Sequence, residues 1–214
     1  LWKNHLSSFG IGEWMNNDFV SGTKGLLPEH DYYNKYYGRK NWNSSTIISM
    51  AIGQGELLLT PIQMANISAI IANRGFYYTP HIIKSIRGKD NIDSAYTTKK
   101  FTTINPKYFE TVIDGMQQVV KHPKGTAHNI YSDSITICGK TGTAQNPHGK
   151  DHSIFIAFAP KENPKIAIAV YVENGGWGST WAAPIAGLMI NKYTDNLIDQ
   201  ELEKFILEGE INQQ

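Results

Sequence analysis

Apolar positions change period several times along the chain, and each change marks an element. Residues 1–9 are apolar at 1, 2, 6 and 9, the stripe of a short amphipathic helix, with Gly10 suited to its C-terminal cap. Residues 10–46 lack a periodic stripe and are rich in Gly, Asn and Tyr. A loop is predicted there, with one helical turn at 29–33 after Pro28. So long a loop is functional or packed on a neighbour; Tyr32, Tyr33, Tyr36, Tyr37 and Trp42 could form a recognition surface, but read better as packing anchors of an irregular loop. Gly53-Gln54-Gly55 is a tight turn feeding a helix. Thr60 caps that helix, Pro61 starts it and Gln63 completes a capping box. Met64, Ile67, Ile70 and Ile71 carry it to Asn73-Arg74-Gly75, which stops it.

Residues 76–86 alternate loosely, as a strand around Pro80, and 88–98 form a polar turn. A second helix begins near Asn105-Pro106, with Phe109, Val112, Ile113, Met116, Val119 and Val120 at helical spacing, and ends at His122-Pro123. Lys124-Gly125-Thr126-Ala127 is a turn. Three β-rich runs follow: Ile135-Thr136-Ile137 leading into Cys138, then 153–159, then 165–173. Joined by a polar loop at 146–151 and a short turn at 160–164, they predict a three-stranded antiparallel meander. Their continuous apolar character predicts cover on both faces. Residues 174–178 turn the chain into a helix over 181–193, capped by Ser179 or Thr180. A weaker amphipathic helix is predicted over 197–207, and the last few residues should fray.

Composition narrows the function classes. A chain of 214 residues is one domain or two small ones. Its 20 basic and 19 acidic residues leave a net charge of +1, with no electrostatic footprint for nucleic acid. The one cysteine, Cys138, precludes an internal disulfide and reads as a small core residue. No apolar run reaches membrane-spanning length, and no signal peptide is present. Leu1 as first residue reads as a cut from a longer chain.

The chemistry concentrates in Cys138-Gly139-Lys140-Thr141-Gly142-Thr143-Ala144-Gln145. Glycine within a strand marks a bulge or a close approach to backbone. An ammonium, two hydroxyls and bare N–H groups there could hold a carboxylate and an adjacent carbonyl. A phosphate loop also ends in Gly-Lys-Thr, but needs a glycine where Ser134 stands and a flexible loop where 135–138 favour strand. The Lys-Thr-Gly signature of penicillin-binding serine acyl-transferases sits on a strand edge, and three letters alone do not separate it from an unremarked edge strand. Ser21-Gly22-Thr23-Lys24 matches the Ser-x-x-Lys nucleophile pattern, yet Gly22 and Gly25 make it a turn rather than the helix start that places lysine beside serine. His148 and His152 are four apart, but Pro147 and Gly149 make solvated loop histidines the better reading than a metal site. Asp114, Glu110 and Lys107 read as a helix face in water.

The ordered set Gly-Gln-Gly at 53–55, Thr-Pro-Ile-Gln-Met-Ala at 60–65, Gly-Lys-Thr-Gly-Thr-Ala-Gln at 139–145, Phe-Ala-Pro at 158–160 and Val-Glu-Asn-Gly-Gly at 172–176 resembles the transpeptidase domain of class B penicillin-binding proteins. Leu-Pro-Glu at 27–29 and Phe9-Gly10 lean toward the elongation type, penicillin-binding protein 2. The resemblance runs from residue 1 to about 195. It implies an α+β fold of the β-lactamase/transpeptidase type, with helices flanking an antiparallel sheet. The sheet of the family has five strands, of which three lie here, so an open edge and exposed apolar surface are expected. Residues 1–128 would be a helical portion with loops, and 129–214 the strands with C-terminal helices, both within one domain.

The resemblance also implies peptidoglycan D,D-transpeptidation through an acyl-serine intermediate, with stem peptides as substrates and β-lactams as acylating ligands. Lys140 would support the proton relay and the electrostatics of the pocket. Thr141 and Thr143 would bind the substrate carboxylate, and the Thr143 N–H would be an oxyanion-hole donor. Gly142 would let the acyl group lie against the strand. No cofactor or metal is implied. A membrane glycosyltransferase partner, a periplasmic location and an inner-membrane anchor preceding this chain are implied for the whole protein. The family also needs a helical Ser-x-x-Lys and a Ser-x-Asn; apart from Ser21 neither pattern occurs in the 214 residues. This chain is therefore expected not to acylate by itself. A serine β-lactamase, a D,D-carboxypeptidase or a non-catalytic peptide- or β-lactam-binding module would share the Lys-Thr-Gly strand.

Overall fold

The computed structural model describes residues 2–19, 21–89, 91–194 and 198–209. The chain begins with helices α1 (Trp2–Ser8), α2 (His30–Tyr37), α3 (Ser44–Ala51) and α4 (Pro61–Ala72). Strand β1 (Phe76–Tyr77), helix α5 (Ser94–Thr97), strand β2 (Lys100–Phe101) and helix α6 (Lys107–Lys121) follow. After a 3-10 turn at His128–Ile130 come strands β3 (Cys138–Ala144), β4 (His152–Ala159) and β5 (Ile166–Val172), then helices α7 (Ala182–Thr194) and α8 (Gln200–Glu208). These group into two compact units, Leu1–Gln63 with Tyr77–Thr103, and Met64–Phe76 with Ile104–Gln214. Residues 104–128, which the sequence assigns to the helical portion, thus group with the sheet, because α6 packs on β3.

In the first unit α1 ends as its sequence predicts. Gly10 takes a φ of 80°, its N–H donates to the Ser7 carbonyl, and the Ile11 N–H donates to the Leu6 carbonyl. The region 10–46 holds more helix than expected. The turn after Pro28 lengthens into α2, and α3 was not foreseen. The Ser- and β-branched-rich α3 has weak intrinsic propensity, but the Asn43 side chain caps it by accepting the Ser45 N–H at 2.9 Å. Tyr33 is the anchor expected of this region, 1% exposed, with its ring beside those of Trp42 and Tyr37. Tyr36 and Tyr37 instead stand largely exposed.

Gln63 and Thr60 close the capping box: Gln63 Oε1 accepts the Thr60 N–H at 2.9 Å, and Thr60 Oγ1 accepts the Gln63 N–H at 3.3 Å. Gln63 is buried, and its Nε2 also donates to the carbonyls of Gly10 and Lys24, at 3.0 and 2.9 Å. The strand predicted over 76–86 shrinks to β1. Beyond it the Asp18 carboxylate accepts the N–H groups of Ile82 and Ile83, so a side chain replaces the ladder that a strand would need. The polar stretch 88–98 contains α5, capped by Asp93.

The Glu56 carboxylate accepts hydrogen bonds from the Tyr37 and Tyr33 hydroxyls. The Tyr37 bond holds its carboxyl below the ordinary value of 4.5, against the upward push of burial and with help from Tyr33. A depressed folded value means that this contribution is present above the unfolded value and lost as pH falls through the folded one. Urea midpoints measured from pH 6 downward should therefore fall more steeply below 4.5 in the wild type than in Glu56→Gln. Equal slopes would show that the two tyrosines do not stabilise the carboxylate.

In the second unit α4 ends as predicted, with Arg74 and Gly75 both at positive φ, 57° and 110°; the N–H of Gly75 donates to the Ile70 carbonyl and that of Arg74 to the Ile71 carbonyl. Helix α6 is capped by Asn105, whose Oδ1 accepts the Lys107 N–H at 3.1 Å. It buries Phe109, Ile113, Met116 and Val120, whereas Val112 is exposed at the margin of the stripe. Its polar face is exposed to solvent as expected, and its charges are also engaged. Asp114 pairs with Lys161 at 2.7 Å and Glu110 with Arg74 at 2.8 Å, and Lys107 Nζ lies over the Tyr108 ring.

The meander forms as expected, antiparallel in the order β3-β4-β5. Its register pairs Gly139 with Ala157 and Ile168, Thr141 with Phe155 and Val170, and Thr143 with Ser153 and Val172. Paired residues share a face. The face of Phe155, Ala157 and Ile168 meets Val120 of α6 and Ala182, Ala186 and Ile190 of α7 in one apolar core. Residues 135–137 bury Ile135 and Ile137 but lie outside β3. Extending the register would set Thr136 against Pro160, which has no N–H to give, and the Thr136 carbonyl instead accepts from the Lys161 N–H. Cover on both faces does not extend to β5, where Ile168 alone is buried and Tyr171 is exposed. Neither β3 nor β5 has a second strand partner among the described residues.

Helix α7 begins as expected, but its first N–H, that of Ala182, donates to Ser153 Oγ on β4 rather than to Ser179 or Thr180. Helix α8 begins at Gln200, capped by Asp199, and stacks Phe205 on Trp181 at 5.5 Å. Leu197 and the C-terminal residues expected to fray lie outside the described residues.

Candidate functional site

Strand β3 brings Lys140, Thr141, Gly142 and Thr143 onto one open sheet edge. Alternation separates them by face. Lys140 and Gly142 share the side of Ile156 and Ile154, whereas Thr141 and Thr143 share that of Phe155 and Ser153. Lys140 is exposed, and its Nζ donates to the Thr141 carbonyl at 2.6 Å. The ammonium thus bends back along its own strand. Thr141 is half-buried, with its hydroxyl 2.8 Å from that of Thr126. Gly142 and Thr143 are half-buried beside it. Cys138 at the start of the strand is the core residue expected; burial pushes its thiol up to about 12, which leaves it protonated and inert.

Two loops fix the far end of the strand. Asn146 takes the Asp151 carboxylate on its N–H and donates its side chain to Asn174 Oδ1 at 2.9 Å. The Gly176 N–H donates to the Asp151 carbonyl. Ser153, fully buried, donates to the Trp177 carbonyl at 2.8 Å. Gly178 then lies so close that a Cβ there would sit 2.4 Å from the Ile154 carbonyl oxygen and 2.5 Å from that of Gly142. Only glycine fits, because backbone cannot yield. Trp177, 73% exposed, is therefore displayed one residue from the Gly142 backbone. The sequence predicts only a turn over 174–178, and no motif in it assigns Ser153, Gly178 or Thr126 to this part of the sheet. Paired glycines after a strand were the one signal available.

The competing motifs take the shapes foreseen. Residues 21–24 are irregular and exposed, not a helix start, and the Lys24 carbonyl is engaged by Gln63. Gly53 and Gly55 turn the chain with φ of 80° and 71°. Of the two histidines, His148 is an exposed loop residue as expected and His152 is not. His152 opens β4, its Nδ1 accepts the Asn174 N–H at 3.1 Å, and its ring lies against Tyr171. No group of three or more His, Cys, Asp or Glu side chains is placed to hold a metal among the described residues, nor is any described helix long and apolar enough to cross a membrane.

The chain resembles known proteins along nearly its full length. The family model for the penicillin binding protein transpeptidase domain matches residues 1–191. The peptidoglycan D,D-transpeptidase MrdA of Haemophilus influenzae is 31% identical over 221 residues, covering 95% of this chain and 34% of the relative. A crystal structure of Pseudomonas aeruginosa PBP2 in complex with WCK 5153 superposes with a TM-score of 0.78 at 34% identity, over 92% of this chain and 43% of that one. The complex between PBP2 and MreC from Helicobacter pylori gives a TM-score of 0.68 at 29% identity, over 95% of this chain and 35% of that one. This chain thus spans about a third of the length of the curated relative. Its helices and three-stranded antiparallel sheet make the α+β fold of those transpeptidases. With the Lys-Thr-Gly strand, the capping-box helix and the Gly-Gly turn all in order, the chain belongs to the penicillin-binding protein transpeptidase family.

Proposed function

We propose that this chain supplies the Lys140–Thr143 wall of a peptidoglycan D,D-transpeptidase of the elongation type. The observation that carries this reading is the place of Lys140, Thr141 and Thr143 on β3, an edge strand that pairs with β4 on one side and has no second strand partner among the described residues. In the reaction a serine Oγ attacks a stem-peptide carbonyl, the amide C–N bond breaks, and the departing amine takes a proton. The amine of a second stem peptide then attacks the ester and releases the serine. A β-lactam is opened by the same first step and remains attached.

In this scheme the Thr143 N–H receives the oxyanion, where a fixed dipole acts on charge that appears only in the transition state. The Thr141 and Thr143 hydroxyls hold the carboxylate, and Lys140 supports proton transfer to the leaving amine. Gly142 keeps the strand flat enough for the acyl group. Both compact units are parts of one transpeptidase domain, completed by a segment with Ser-x-x-Lys, Ser-x-Asn and two further strands. The whole protein works in the periplasm, held at the inner membrane and paired with a membrane glycosyltransferase.

Mass spectrometry after incubation with benzylpenicillin tests the reading. This chain by itself should gain no covalent adduct, since the oxyanion hole has no nucleophile to serve. The same chain joined to the serine-bearing segment should gain the full mass of one ring-opened β-lactam. An adduct on the chain alone would place the nucleophile within it, and failure of the joined protein to acylate would favour a non-catalytic binding module.

A further inference from the structure

The turn after α6 is built to present one hydroxyl to the candidate site. Gly125 sits against the end of that helix so tightly that a Cβ would lie 2.3 Å from the Val119 carbonyl oxygen and 2.7 Å from that of Gln118. The Ala127 N–H donates to the Val119 carbonyl at 3.0 Å, and Ala127 is fully buried. His128 Nδ1 lies 3.1 Å from the Val120 carbonyl oxygen. Between these clamps only the Thr126 side chain is left to project, and its hydroxyl meets that of Thr141 at 2.8 Å.

A hydroxyl has one proton to donate and two lone pairs with which to accept. If Thr141 gives its proton to a carboxylate, it can still accept one. From this pairing we infer that Thr126 is a positioning residue for carboxylate recognition: it donates to Thr141 Oγ1, fixes the side-chain rotamer of Thr141 and aims its proton outward at the ligand. The inference rests on the reading of Thr141 as a carboxylate binder. A donor chain of this kind polarises each of its links, so the second bond strengthens the first. The helix end supplies the rigidity and Thr126 the direction. The chemistry recognised is a ligand carboxylate, as carried by a penicillin and absent from its methyl ester.

Two measurements test this together. In the chain itself, couplings from the Thr141 γ-methyl carbon to its backbone nitrogen and carbonyl carbon report the rotamer. They should show one rotamer in the wild type and in Thr126→Ser, and averaging in Thr126→Val. A single unaveraged rotamer in Thr126→Val would overturn the inference. In the transpeptidase containing this chain and its nucleophile, acylation rates for benzylpenicillin and its methyl ester give an acid-to-ester preference. Thr126→Val should lower that preference by about fivefold, the scale of one lost neutral hydrogen bond, with Thr126→Ser restoring it. If Thr141→Val lowers the preference and Thr126→Val does not, Thr126 has no such role and the reading of Thr141 stands. If Thr141→Val leaves it unchanged, the reading of Thr141 itself fails.

Discussion

Replacing Lys140 with alanine is expected to slow penicillin acylation of the transpeptidase containing this chain by about a hundredfold or more. That is the scale on which one preorganised electrostatic group acts at a reacting centre. The same change should leave stability within about 0.5 kcal/mol of wild type, as for other exposed positions. Lys140 is exposed and the hydrogen bond of its ammonium, to the Thr141 carbonyl, stays within its own strand, so folding asks little of its side chain. Rate loss without stability loss is the signature of a functional side chain. Stopped-flow acylation rates, read beside urea unfolding of the same sample, separate the two. An alanine variant that acylates at the wild-type rate would remove Lys140 from the site.

The second large effect concerns the platform beneath the strand. Phe155→Ala should destabilise the sheet-bearing unit by about 3–5 kcal/mol, the range for losing a buried aromatic ring and leaving a cavity. Phe155 is fully buried in the core between the sheet and helices α6 and α7. Its ring occupies the place that a side chain on Gly139 would need, with a Cβ there only 2.2 Å from Phe155 Cζ. Glycine at 139 thus serves the core, while the neighbouring Lys140 serves the opposite face. Phe155 is also the register partner of Thr141, so its loss loosens the strand at the candidate site. Urea unfolding of Phe155→Ala beside Val112→Ala, an exposed apolar position on α6, gives the contrast. A loss below about 1 kcal/mol at Phe155 would show that the core relaxes around the gap.

What the sequence made legible follows from the range of the forces involved. Helix α4 was readable in full because its capping box and its stop are local patterns. The meander was readable because continuous β-branched and aromatic runs leave few alternatives. Helix α3 was hidden, since its composition disfavours helix and a single Asn43 side chain tips the balance. The strand predicted over 76–86 failed for a non-local reason, as its backbone donors go to Asp18, more than sixty residues away in sequence. The start of β3 moved to Cys138 because its partner strand ends at a proline.

The site divides in the same way. Lys140, Thr141, Gly142 and Thr143 form one contiguous motif, visible by inspection. The residues that hold it in place come from elsewhere in the chain. Ser153 reaches across to the start of α7, Gly178 lies on the Gly142 backbone, and Thr126 meets Thr141 from a turn fifteen residues earlier. Turns at 125 and 175–178 were readable, but their purpose was not. Close approach to a backbone carbonyl has no sequence signature beyond the glycine itself.

The most direct measurement is the crystal structure of the transpeptidase containing this chain after acylation by benzylpenicillin. It is expected to show the ligand carboxylate within hydrogen-bond distance of the Thr141 and Thr143 hydroxyls, with the ester carbonyl oxygen on the Thr143 N–H. A carboxylate bound elsewhere, with β3 untouched by the ligand, would contradict the assignment of Lys140–Thr143 as the substrate-binding wall.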